Sequence, residues 1–145
     1  MLKVSVIILG ILFIYSVVVA LMVIIVPNAV LEGYFKAITG DSLASIQNAG
    51  YLQALTSLNR AVALYGLTTS IANFFILMFA FRKSQKWAWW AMLAVGGIGW
   101  LWGLIDHITI GANIGITIYS IGMVVFLVGI FLPVRVFFAK PSQGA

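Results

Sequence analysis

The chain predicts an all-α fold: an integral membrane four-helix bundle, N-in/C-in, with a short amphipathic helical cap between helices 1 and 2. Three observations carry this. Val4–Val26, Ala61–Phe81, Trp87–Ile105 and Ile108–Val134 contain no Asp, Glu, Lys or Arg. Hydrophobic residues make up 63% of the 145 residues, charged residues 8%, and the mean hydropathy is +1.16. A soluble domain is nearer about 45–50% apolar and about 25% charged. The third is length: about 20 apolar residues cover the hydrocarbon core, and a backbone crossing it must satisfy its own hydrogen bonds, which selects helices.

A single transmembrane domain accounts for the whole chain, with spans at about 4–26, 57–81, 87–107 and 110–134 and an outer cap at about 29–56. The first span follows Lys3 as a signal peptide would. Its apolar run exceeds the usual ~7–15 residues of a signal-peptide core, and no small-x-small site precedes Pro27. It is therefore expected to stay as a membrane helix. Pro27 and Asn28 end it, because proline cannot continue a helix interior.

In the cap, Tyr34, Phe35 and Ile38 alternate with Glu32, Lys36 and Thr39, which suits a short interfacial helix. Asp41 and Ser42 after Gly40 read as the N-cap of a second short helix reaching about Asn48. Gly50 is expected to break it, with Tyr51–Leu58 running into the second span.

Arg82, Lys83 and Lys86 crowd the connection between spans two and three. Lys3 precedes span one, and Arg135 and Lys140 follow span four. The positive-inside rule then puts both termini in the cytoplasm. In the third span Trp87, Trp89 and Trp90 lie near Lys86, with Trp100 and Trp102 toward the other end. Indole rings favour both headgroup levels, so all five are expected to anchor the helix in the bilayer.

Membrane helices associate through close backbone approach and a few hydrogen bonds. Gly115, Gly122 and Gly129 recur every seven residues in span four. Gly99 and Gly103, extended by Gly96, form a small-residue pair in span three, and Ala63, Gly66, Ser70 and Asn73 share a face of span two. These seams predict a core of spans two, three and four, with span one peripheral. Asn73 is expected to make an interhelical hydrogen bond. A homo-oligomer, or a place as subunit of a larger membrane complex, could use the same seams.

The polar residues able to carry chemistry gather at the outer end: Asn59 and Arg60 on span two, Asp106 and His107 on span three. Asp106 follows Gly99 and Gly103 at helical spacing, which turns it toward the bundle. One reading makes Arg60 and Asp106 a structural ion pair, joined by Asn59, since ionisable groups in such places pair with one another. A second makes Arg60, Asp106 and His107 the head of a ligand site, with Arg60 holding an anionic or carbonyl group and Asp106 tuning a proton-carrying His107. A metal site is the third and weakest, since one His and one Asp leave few ligands. No metal and no cofactor are predicted; a bound lipid or quinone-like molecule is the ligand class the second reading implies.

Cysteine is absent, which removes disulfides, iron–sulfur clusters and thiol catalysis. The basic residues are scattered, so no nucleic-acid face forms. Their net charge of +5 suits a bilayer partner with anionic headgroups instead. No phosphate-binding loop, paired carboxylates or nucleophile elbow occurs.

Asn59–Leu67, "NRAVALYGL", and Phe81–Leu93, "FRKSQKWAWWAML", resemble small four-helix prokaryotic membrane proteins of unknown function, grouped loosely with DoxX-like sequences. Pro27 after span one and Asp106 near the end of span three fit that pattern. The resemblance covers about half the chain. It implies the four-helix architecture and a prokaryotic cytoplasmic membrane, and no activity. The membrane-associated eicosanoid and glutathione family has similar length and helix count, but no Glu follows Arg60 here. The leading expectation is a small membrane scaffold or accessory subunit packing through glycine-rich seams. The alternative is a binding protein or enzyme for a small lipophilic molecule, using the outer Arg/Asp/His cluster.

Overall fold

The computed structural model describes residues 1–139, and every regular element in them is helical. Lys140, used above for orientation, lies outside them. The order is α1 (Leu2–Ile25), α2 (Pro27–Thr39), α3 (Ala49–Phe79), α4 (Lys86–Thr109), α5 (Asn113–Phe131) and the short α6 (Val134–Phe138), with 3-10 turns at Leu43–Ser45 and Phe81–Lys83. Four of these, α1, α3, α4 and α5, are long and apolar enough to cross a membrane. Their large apolar side chains are mostly exposed, Ile7, Ile11, Tyr65, Phe75, Ile98 and Ile121 among them. Along their apolar stretches these helices bury one side and expose hydrophobic residues on the other, where a soluble bundle would be polar.

Local chemistry sets the boundaries. Pro27 occupies the first turn of α2, where a missing N–H costs nothing. Gly40, at φ 81°, ends α2 in the left-handed conformation that glycine adopts without strain. Ser42 caps the 3-10 turn by accepting from the Ala44 N–H at 3.2 Å. The expected helix through Asn48 is only this one turn. Asn48 instead starts α3, its Oδ1 accepting from the N–H groups of Gly50 (2.9 Å) and Tyr51 (3.3 Å). Gly50 therefore sits in the first turn of α3 rather than breaking a helix. At 31 residues, α3 is about 46 Å long. That exceeds a ~30 Å hydrocarbon core, so its first turns project beyond one.

The packing order around the bundle is α3–α1–α5–α4, and the α3–α4 side is the least closed. Span one is thus not peripheral: α1 packs against both α3 and α5, with Leu9 fully buried and Leu12 and Phe13 nearly so. Glycines mark holes, and α1 supplies what fills one of them. A Cβ on Gly129 would lie 2.6 Å from Leu9 Cδ2, and the Ser5 hydroxyl donates to the Gly129 carbonyl.

The α4–α5 contact is a reciprocal zipper. Down α4, Gly96 and Gly103 receive Phe126 and Tyr119 of α5, while Trp100 and His107 enter the notches of Gly122 and Gly115. Each helix alternates notch and ring at steps of three and four, and the two antiparallel helices keep one register throughout. Added Cβ atoms at Gly96, Gly103, Gly122 and Gly115 would come within 2.6, 2.0, 2.1 and 1.6 Å of the opposing ring. Gly66 and Gly99 have no such role: both are exposed, and a Cβ on either would meet nothing within 4 Å. The inward pair on α4 is Gly96 and Gly103, not Gly99 and Gly103.

Two of the expected anchors are packing residues. Trp89 is buried, and its indole N–H donates to the Ile130 carbonyl at 2.9 Å. Trp100 lies over Gly122 with its ring edge toward Tyr119. Trp87, Trp90 and Trp102 are exposed. Ser70 is buried and returns its hydroxyl to the Gly66 carbonyl at 2.8 Å.

Asn73 is 2% exposed, but its Oδ1 has no hydrogen-bond partner, so the interhelical bond expected of it does not form through that oxygen. A buried acceptor without a donor costs about 1–3 kcal/mol. Asn73→Leu, close in shape, should therefore raise stability by about 1 kcal/mol. Denaturation in mixed micelles checks this; a loss of similar size would show that the amide is satisfied in the folded protein.

Candidate functional site

The topology brings Asn59, Arg60, Asp106 and His107 to one end of the bundle, opposite the start of α1 and the short α6. All three acidic residues, Glu32, Asp41 and Asp106, lie at this end. Lys3, Arg82, Lys83, Lys86 and Arg135 lie at the other. The α2 helix covers the polar end, and its attachments determine what the four residues do.

The elbow between α1 and α2 is fastened to α3. The Asn59 amide N–H donates to the Pro27 carbonyl at 3.1 Å, and the Thr56 hydroxyl reaches Asn28 Oδ1 at 3.1 Å. Farther along α2, Glu32 accepts from the Leu43 N–H at 2.8 Å and holds the 3-10 turn beneath which Leu43 is buried.

Tyr34 then ties α2 to α4. Its hydroxyl lies 2.7 Å from His107 Nε2, while His107 Nδ1 lies 2.7 Å from the Gly103 carbonyl. A carbonyl only accepts, so Nδ1 carries a proton, and in the neutral ring of that tautomer Nε2 accepts from Tyr34. His107 is 4% exposed and sandwiched: its ring centroid is 5.2 Å from Tyr34 and 4.6 Å from Tyr119, with Gly115 against its edge.

Two expectations fail here for one reason. Neighbouring helix positions point about 100° apart, so a helix turned to bring His107 inward swings Asp106 aside. The zipper takes His107 inward and leaves Asp106 exposed. The Gly103 carbonyl and Tyr34 hydroxyl orient His107, not Asp106. Arg60 is also exposed, on the flank of α3, and no ion pair joins it to Asp106 among the described residues. Of the three, only His107 is buried and joined to the cap, while Arg60 and Asp106 are exposed. Asn59 joins the elbow rather than an ion pair.

Tyr34 and Tyr119 complete the cluster and were not among the expected site residues. Two signals pointed to them: Tyr34 lies on the apolar face of an amphipathic cap helix, and Tyr119 stands seven residues before Phe126, matching the Gly96–Gly103 interval. Burial first, then the nearby Tyr119 and Asp106, push the Tyr34 hydroxyl up to about 12 from 10.0. A raised phenol favours the folded state below pH 10, where both states hold the proton. That advantage fades as pH rises from about 10 to about 12. Alkaline titration followed by tyrosinate absorbance should therefore show a late-ionising tyrosine that disappears in Tyr34→Phe.

No family model matches this chain, and neither does any curated protein or solved structure.

Proposed function

We propose that the chain is a bilayer-spanning scaffold or accessory subunit, with both termini in the cytoplasm, that binds another membrane helix through the open α3–α4 side. The observation that carries this is the division among the glycines. Gly96, Gly103, Gly115, Gly122 and Gly129 are filled from within the chain, whereas Gly66 and Gly99 are exposed and unfilled. Small exposed positions on apolar helices allow a neighbouring backbone to approach closely. The chemistry-bearing residues support the same reading, since His107 and Asn59 are engaged in holding the cap. Orientation follows from the basic residues clustered at the terminal end. The DoxX-like grouping belongs to this proposal and rests on Asn59–Leu67 and Phe81–Leu93.

The test is gentle extraction followed by native mass measurement. Wild type should emerge with a second copy or another membrane protein bound. Gly66→Leu and Gly99→Leu should release it without loss of helicity, because each faces open space. A ligand-free monomer from wild type would contradict the proposal.

A further inference from the structure

We propose that the recess around Arg60 on α3 seats the phosphate of an anionic phospholipid, whose acyl chain lies along the exposed face of the same helix. The proposal rests on the membrane-spanning reading but not on the scaffold role. Arg60 borders a recess of about 350 Å³ that it shares with Ala49, Leu52, Gln53, Thr56 and Ser57. All six residues belong to α3, so the recess is an open groove along one face of that helix. No carboxylate lines it. The Thr56 hydroxyl is already directed to Asn28 and the Leu52 carbonyl, so the available donors are the Arg60 guanidinium, the Gln53 amide and the Ser57 hydroxyl. A planar guanidinium presents paired N–H groups that match two phosphate oxygens.

Depth supports the choice of a lipid over a free anion. From Arg60 to Phe79, the last residue of α3, is about 29 Å of helix, the thickness of a hydrocarbon core. With the Phe79 end at one interface, Arg60 stands at the other, where lipid phosphates lie. Below it Leu64, Ile71 and Phe75 are exposed at helical spacing and form an apolar track for an acyl chain. Arg60 thus has a use that the cap does not absorb.

Native mass spectrometry of the full chain, with phosphatidylglycerol, diacylglycerol or inorganic phosphate added separately, tests this. Wild type should retain phosphatidylglycerol and not diacylglycerol. Arg60→Ala should weaken retention by about tenfold, the scale of one lost hydrogen bond to a charged group. Arg60→Lys should fall between them, and Lys36→Ala, the other cation at this end, should match wild type. Equal lipid retention by wild type and Arg60→Ala would overturn the proposal, as would retention of diacylglycerol as strong as that of phosphatidylglycerol. Arg60-dependent retention of inorganic phosphate without lipid would overturn the lipid assignment. Circular dichroism of each variant confirms that helicity is kept. Failure to fractionate with membranes at all would instead remove the spanning reading.

Discussion

Gly115→Ala should destabilise the bundle more than any other single methyl group added to it. The new Cβ would stand 1.6 Å from His107 Cδ2 and 2.5 Å from Nε2. A flexible side chain could swing aside, but this ring is held at both nitrogens, by Gly103 and Tyr34. The clash must either move α5 or break both hydrogen bonds. Overpacking alone costs about 1–3 kcal/mol, and each lost bond adds about 1 kcal/mol. A total of roughly 3–5 kcal/mol is the expected loss in a micellar unfolding titration. Gly122→Ala should follow closely, since Trp100 lies 2.1 Å from its Cβ position. Gly66→Ala and Gly99→Ala should change stability little. If all four substitutions cost the same, the zipper does not order the bundle.

Tyr34→Phe should loosen the cap while leaving the zipper closed. The substitution removes the donor and leaves His107 Nε2 buried without a partner, a cost of about 1–3 kcal/mol. The remaining fastenings, Asn59 to Pro27, Thr56 to Asn28 and Glu32 to Leu43, hold the cap elsewhere but not its contact with α4. Amide hydrogen exchange should therefore speed up across Pro27–Thr39 and stay slow across Asn113–Phe131. Asp106→Asn, at an exposed position, should leave both rates unchanged. Equal acceleration in α2 and α5 would mean that the Tyr34–His107 bond supports the whole bundle rather than the cap.

Much of the fold could be read directly from the sequence, because span length and charge placement are properties of single segments. Each apolar run has its long helix, α1 ends just before Pro27 and a cap helix follows, although α3 begins at Ala49, well before the expected start near 57. Which side a glycine faces is different, because it depends on the neighbouring helix. Gly99–Gly103 and Gly96–Gly103 are both plausible seams on α4 alone. Only the match to Tyr119 and Phe126 on α5 selects the second, and that selection also turns His107 inward and Asp106 outward. The place of α1 was hidden for the same reason: its Leu9 and Ser5 matter because Gly129 on another helix receives them. For the cluster at the α2 end, the residues were visible in the sequence, but their partners were not. Tyr34 reaches His107 across 73 positions, and Asn59 reaches Pro27 across 32.

The chain contains no cysteine, so a single introduced one reports on its own surroundings without background. Gly66→Cys and Gly99→Cys, each placed singly in the full chain and oxidised in native membranes or treated with a short thiol–amine cross-linker, test the scaffold role most directly. An efficient covalent adduct with a second copy or another membrane protein should form from each of these positions. None should form from Ile14→Cys, exposed on α1. Adducts formed equally from all three positions, or from none, would contradict the scaffold role.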